Sequence, residues 1–230
     1  MPQKNVSSIR HPAEAGAFIL DWDGVLADTW LNFKPLRQKY FDGKIVPLVE
    51  AAAELPPTIR AEVLAEIRRI EIEGAEKAVP VEGAKDLIAW LNTPKKLVSG
   101  KSVQTKPWAV VSRNCRDSIL LAAEKCGITL PPVFLCREDP YVKPDPRALA
   151  LAAKRLRARL SDCVMVGDFI YDLQAAKNAS IPSVLVKNPA TGSPDVSAEW
   201  EGLADFVYVS LVDFVKDLSA FEAPFSGMTP

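Results

Sequence analysis

Six short runs of the chain are almost continuously apolar: "AFILD" (17–21), "WAVVS" (108–112), "PVFLC" (132–136), "CVMVGD" (163–168), "SVLVKN" (183–188) and "DFVYV" (205–209). A strand with one wet face would alternate. Unbroken Val, Ile, Leu and Phe predict strands covered on both faces, as in a parallel sheet. Between the runs the period changes to that of a helix. Over 146–160, Leu149, Ala153, Leu156 and Leu160 share a face, with Asp145 placed to cap the amino end and Pro146 at the first helical position. Over 116–126, Ile119, Leu120 and Ala123 point one way and Gly127 supplies a stop. Strand and helix alternate through the second half, which predicts an α/β fold with a parallel sheet between helices.

Residues 30–91 interrupt that alternation and contain no strand pattern. "TIRAEVLAEIRRIEIEGAEKAV" aligns Ile59, Val63, Ile67 and Ile70, and "VEGAKDLIAWL" aligns Ala84, Leu87, Ile88 and Leu91. These stripes read as core packing. The expected division is a core of residues 1–28 and 81–230 carrying a helical insertion over 29–80.

Composition narrows the chemistry. Of 230 residues, 48% are hydrophobic and 25% charged, the balance of a soluble globular protein. A formal net charge of -1 and the lack of a long basic run argue against a nucleic-acid surface. Lys95, Lys96, Lys101 and Lys106 read as a solvated loop. No apolar run has the length of a signal peptide or a bilayer span, so a cytoplasmic protein is expected. Cys115, Cys126, Cys136 and Cys163 form no CxxC pair and read as buried thiols. The single histidine, His11, falls in what is expected to be a mobile amino-terminal tail. A Ser-His-Asp triad and a multi-histidine metal site are therefore excluded. Chemistry here has to run on carboxylates, lysine, hydroxyls and an oxygen-preferring metal.

Such groups end the predicted strands. Asp21 and Asp23 follow the first, Ser112, Arg113 and Asn114 the second, and Asp168 the "CVMVGD" run. Asp172 lies a turn further, and Lys143 sits in "YVKPDP". Ligands of open parallel sheets bind outside the carboxyl ends of the strands. Two carboxylates ~4 Å apart repel by roughly 4 kcal/mol at an effective dielectric near 20. A hard divalent cation, Mg²⁺ above all, offsets that. Each residue also has a plain structural reading. Ser112 or Asn114 can cap the next helix, Asp172 can be a first-turn acid, and Lys143 can be solvated.

The motifs together resemble the haloacid dehalogenase-like (HAD) hydrolase superfamily, in particular its phosphoglycolate phosphatase-like branch. "DWDGVLADT", "VVSRN", "VKPDP" and "VGDFIYD" stand in the family's order, and the resemblance runs from about residue 17 to 218. It implies a Rossmann-like three-layer α/β/α core with a small helical cap inserted after the first strand. It also implies Mg²⁺-dependent hydrolysis of a small phosphorylated metabolite through an aspartyl-phosphate. By motif position, Asp21 would be the nucleophile and Asp23 the general acid and base. Ser112 would bind phosphoryl oxygens, with Arg113 and Asn114 as further substrate-binding candidates. Lys143 would hold Asp21 and the phosphate. Asp21, the Asp23 carbonyl and Asp168 would hold the metal, with Asp172 close by.

Departures from the pattern are Val142 before the lysine, Phe169 after the late Gly-Asp, and Ala179-Ser180 after the helix. None removes a functional group, although Phe169 bears on pocket width and the metal surroundings. Asp23 argues against a dehalogenase or phosphonatase. Phe33, where β-phosphoglucomutases carry histidine, argues against a mutase. Phosphoglucomutase-like transfer and a non-catalytic phosphate-binding role remain the alternatives. Lys34, Arg37 and Arg60 of the insertion are further cations that either meet an anionic substrate or are solvated. Neither nucleic acid nor membrane is an expected partner, and a monomer or weak homodimer is the expected assembly. Trp22 has no assigned role.

Overall fold

The computed structural model describes residues 10–96, 103–187 and 198–222. All six expected strands form: β1 (Ala17–Leu20), β6 (Trp108–Val111), β7 (Phe134–Leu135), β8 (Cys163–Gly167), β9 (Ser183–Val186) and β10 (Phe206–Tyr208). They pair in parallel in the order β10-β9-β8-β1-β6-β7. From β1 the chain moves outward through β6 and β7, then returns to the other side of β1 for β8. The reversal places the ends of β1 and β8 at a topological switch point. The end of the 183–188 run at Asn188 and the terminal stretch 223–230 lie outside the described residues.

Successive residues of β1 serve opposite faces. Phe18 and Leu20 join Val110, Val164, Val166, Val184 and Val186 beneath α4 (Ala84–Asn92), α5 (Arg116–Cys126) and α9 (Leu211–Glu222). Ala17 and Ile19 join Ala109, Val111, Cys163 and Met165 beneath α6 (Pro146–Arg155) and α7 (Ile170–Ala179). This two-faced burial is why the strands do not alternate, and each large side chain so buried contributes about 1.5–3 kcal/mol. Trp22 is fully buried in the first cluster. Its indole Nε1 has no hydrogen-bond partner among the described residues, and a buried donor left so costs about 1–3 kcal/mol. Its role is packing, directly between the two acids. Among the described residues no helix is long and apolar enough to cross a membrane.

The insertion holds α1 (Lys34–Tyr40), α2 (Leu48–Ala53) and α3 (Pro57–Glu76). Leu36, Leu48, Ala52, Val63 and Ile67 form an apolar cluster of their own, with Ile59 and Ile70 packed on it. It is also tied to the core. Glu71 of α3 is buried, pairs with Arg137 at 2.5 Å and accepts the Cys115 N–H at 3.2 Å. Arg68 reaches Asp117 at 2.5 Å.

Several local expectations are corrected. Residues 27–28 (β2) and 79–80 (β3) form a short antiparallel ribbon where no strand was expected in the later segment. Two-residue strands are too short to show a period. The helix beginning at Pro146 stops at Arg155 because Arg157 takes a left-handed φ of 58°. Asp145 does cap it, accepting the Arg147 N–H. Leu120 is exposed rather than buried with Ile119. In the lysine stretch, β4 (Lys95–Lys96) pairs antiparallel with β5 (Val103–Gln104), and Lys101 lies outside the described residues. Lys106 is not solvated: its ammonium donates to the carbonyls of Ala13 and Ala15. His11 does not sit in a loose tail. Its ring stacks on Phe221 at 4.1 Å, its Nε2 meets Asp217 at 2.9 Å, and it caps the turn Pro12–Glu14. That anchors it before β1, at the end of the sheet opposite the acidic residues. All four cysteines are free and buried, and burial pushes Cys136 to about 12 and Cys163 to about 11.

Candidate active site

At the carboxyl ends of β1 and β8, three acids meet. Carboxylate oxygens of Asp21, Asp168 and Asp172 lie within 4.8 Å of one another. Lys143 is 1% exposed, with its Nζ 2.7 Å from Asp21 Oδ1 and 2.5 Å from Asp172 Oδ1. Burial alone would lower the Lys143 pKa, but the facing carboxylates outweigh it and hold the ammonium above its ordinary value. Burial, then the neighbouring Asp21 charge, pushes Asp172 up to about 7 against the pull of Lys143. Three carboxylates facing one ammonium leave an excess of negative charge. An all-oxygen donor set of this kind fits a hard divalent cation. Asp21, Asp168 and Asp172 are the side chains that would hold it. Such an ion supplies charge neutralisation for bound phosphoryl oxygens.

Two glycines let the acids approach. Gly24 has φ 75°, and a Cβ there would overlap the Asp168 carboxylate. A Cβ on Gly167 would overlap the Asp172 carboxylate. Asp172 is held from its own helix too: Oδ2 accepts the Phe169 N–H at 3.1 Å. It is thus both a first-turn acid and a member of the cluster. Phe169 serves the site through this peptide group. Its ring packs edge-on against Tyr171 and Trp200 at 5.2 and 5.0 Å.

Asp23 is set apart from the three. The chain turns tightly after it, with Leu26 and Ala27 N–H groups donating to the Trp22 carbonyl and Gly24 N–H to Ala27. This fold-back returns Thr29 to Asp23, where its N–H (3.1 Å) and hydroxyl both donate to Oδ1. Burial of the carboxyl outweighs those hydrogen bonds and raises Asp23 to about 7, with the Asp21 charge adding to the shift. A carboxylic acid that keeps its proton near neutrality is suited to donating it. The same shift sets a stability slope. Between the ordinary 3.8 and about 7 the folded chain holds a proton that the unfolded chain has lost, so Asp23 costs stability as pH rises through that window. Without added metal, Asp23→Asn is expected to melt above the parent at pH 8. The gap should close near pH 4, as followed by thermal denaturation.

Ser112 is buried at the end of β6. Its N–H donates to Leu135, and its Oγ accepts the Asn114 N–H at 3.1 Å. Neither Ser112 nor Asn114 caps the following helix: the N-cap of α5 is Cys115, which makes no side-chain capping bond, and the Asn114 N–H bonded by Ser112 lies before it. The Ser112 hydroxyl proton has no acceptor among the described residues. Asn114 is buried, with its carbonyl accepting the Arg137 N–H. Arg113 turns from the acids to the insertion: it pairs with Glu50 at 2.5 Å, donates to the Lys143 carbonyl and lies over the Tyr171 ring at 4.9 Å. Arg60 closes α2 by donating to the Ala53 and Leu55 carbonyls, which makes it structural.

Thr29, Glu50 and Tyr171 were not singled out from the sequence. Thr29 was legible in principle, because the turn-forming "DGVLADT" returns the chain to its starting acid. Glu50 meets Arg113 only through the docking of α2, and no local pattern reports that.

A family model described as haloacid dehalogenase-like hydrolase matches residues 15–180. A D-glycero-beta-D-manno-heptose-1,7-bisphosphate 7-phosphatase from Yersinia pestis is 44% identical over 107 residues, covering 41% of this chain and 55% of that protein. A phosphoglycolate phosphatase from Caulobacter vibrioides is 37% identical over 93 residues, covering 39% of this chain and 38% of that protein. The matched stretches thus span about half or less of these relatives. The fold is shared with a hydrolase structure from Pseudomonas syringae, at a TM-score of 0.69 and 19% identity over 90% of this chain and 99% of that one.

Proposed function

The chain belongs to the haloacid dehalogenase-like hydrolase family, and on that premise we infer that it is a phosphatase of the phosphoglycolate phosphatase-like branch. It cleaves a small phosphate monoester through an aspartyl-phosphate on Asp21. The observation that carries this reading is the meeting of Asp21, Asp168 and Asp172 within 4.8 Å, with Lys143 2.7 Å from Asp21. A carboxylate is already ionised near neutral pH and needs no histidine to activate it.

In the first half-reaction an Asp21 oxygen attacks phosphorus. Asp23, protonated and held by Thr29, gives its proton to the departing alkoxide. Lys143 and the Ser112 hydroxyl stabilise the transferring oxygens. In the second, the Asp23 carboxylate removes a proton from water, which attacks the phosphorus of the aspartyl-phosphate. Inorganic phosphate leaves and Asp21 is restored. Residues 29–80 act as the cap over this site, and substrates of the relatives' kind, phosphoglycolate or a sugar phosphate, are the first to try.

Mg²⁺ is the expected ion. Hydrolysis of an aryl phosphate should fall about 100-fold or more in chelator and return with Mg²⁺. Mg²⁺ should also raise the melting temperature of the unreacted protein. Full turnover in chelator, with no melting shift on adding Mg²⁺, would remove the ion from the account. Absence of phosphate release from any ester under both conditions would favour the non-catalytic alternative.

A further inference from the structure

Glu71 is a buried carboxylate that the phosphoryl-transfer steps leave unused, and it comes from the insertion, not the core. It is 2% exposed. One of its oxygens meets Arg137 at 2.5 Å, and the other accepts the Cys115 N–H at 3.2 Å. The Arg137 N–H in turn donates to the Asn114 carbonyl at 3.0 Å. That carbonyl and the Cys115 N–H are the two ends of one peptide group. Glu71 and Arg137 therefore grip the Asn114–Cys115 peptide from both ends and are bonded to each other, which closes a ring.

The peptide so held lies just beyond Ser112. The N–H before it, that of Asn114, donates to Ser112 Oγ at 3.1 Å. A hydroxyl offers one proton and two lone pairs. With Asn114 on a lone pair, the proton is left for another acceptor, and the described residues supply none. The placement of the Asn114 N–H thus decides where the Ser112 hydroxyl can donate.

Seating α3 on the core does not by itself require this ring. Arg68, one turn earlier, already ties α3 to Asp117 of α5 through an exposed ion pair at 2.5 Å. One turn later, Gly74 lies against the Thr29 carbonyl, where a Cβ would overlap the oxygen. This close approach fixes the seat of the helix, and with it the place of Glu71. What Glu71 adds is its hold on one peptide group.

Resting on the phosphatase reading of Asp21 and Ser112, we propose that Glu71 is a positioning residue: through the Asn114–Cys115 peptide it aims the Ser112 hydroxyl at the transferring phosphoryl oxygens. The insertion thereby completes the serine loop of the core.

Glu71→Met alone would leave Arg137 without its counter-ion, so the test pairs it with Arg137→Met. This exchanges a buried ion pair for apolar side chains of similar length and keeps the Arg137 N–H, a backbone group. The melting temperature of the paired variant should lie close to the parent's. Its kcat for an aryl phosphate should fall about 10- to 100-fold, the scale of a misplaced catalytic group, with KM little changed. In a Ser112→Ala background the same pair should cost less than about 3-fold, because the hydroxyl it aims is already gone. Arg68→Gln, which removes the exposed α3–α5 ion pair, should keep the parental kcat. Glu71→Gln retains a neutral acceptor for the Cys115 N–H and should lose about 3- to 10-fold; it carries the same cycle if the paired variant does not fold. Parental kcat in the variant so tested, an equal loss with and without the Ser112 hydroxyl, or an equal loss in Arg68→Gln overturns the positioning role. If the parent turns over no ester, the hydrolase reading has failed, and calorimetric titration with inorganic phosphate replaces kcat in the cycle. Weaker binding that depends on the Ser112 hydroxyl supports the role. Unchanged binding, an equal loss in both backgrounds, or no binding by the parent overturns it.

Discussion

Asp21→Asn is expected to lower kcat by about 10⁴-fold or more, the scale on which enzymes lose rate when a covalent nucleophile is removed. The amide has nearly the same shape but is a poor nucleophile. The loss should fall on kcat and not on folding. Asp21 is repelled by Asp168 and Asp172 and attracted by Lys143. Neutralising it removes both effects, and Lys143 keeps Asp172 at 2.5 Å. The cation-free variant should therefore melt at or above the parent, by up to about 1 kcal/mol of added stability. Steady-state kinetics and a melt on the same preparation separate a lost nucleophile from a lost fold. A variant with parental kcat removes Asp21 from the reaction.

Lys143→Met has the opposite signature, because both fold and turnover suffer. The ammonium is buried between two carboxylates. Removing one member of a buried pair leaves charge without compensation, at a cost of about 3–5 kcal/mol. Asp172, already raised to about 7, can take up a proton and relieve part of it. The stability deficit should therefore be larger at pH 8 than at pH 5. Turnover should fall about 100- to 1,000-fold at either pH, since a fixed charge aimed at the transferring oxygens is gone. Denaturant melts at the two pH values, with kinetics alongside, check this. A deficit that does not change with pH would mean that Lys143 is not compensating titratable neighbours.

The sheet was legible because burial on both faces writes itself as unbroken apolar runs. "AFILD" and "CVMVGD" became the adjacent strands β1 and β8. The acids at their ends were legible for the same reason, since parallel strands deliver their last residues to one rim. What local pattern missed had non-local causes. Leu120 has helical spacing but lies outside the packed face. His11, far from α9 in sequence, is fixed by Phe221 and Asp217. The ion pairs Glu50 to Arg113 and Glu71 to Arg137 join the insertion to the core across dozens of residues. Sequence spacing carries no sign of these. The β2–β3 ribbon escaped because two residues cannot establish a period.

The central claim is a covalent phosphoryl group on Asp21. The most direct measurement is rapid acid quench of the protein turning over a labelled phosphate ester, followed by peptide mapping. The account predicts label on the peptide containing Asp21, and none there in Asp21→Asn. Release of phosphate with no label on that peptide, or with label on another side chain, would contradict it.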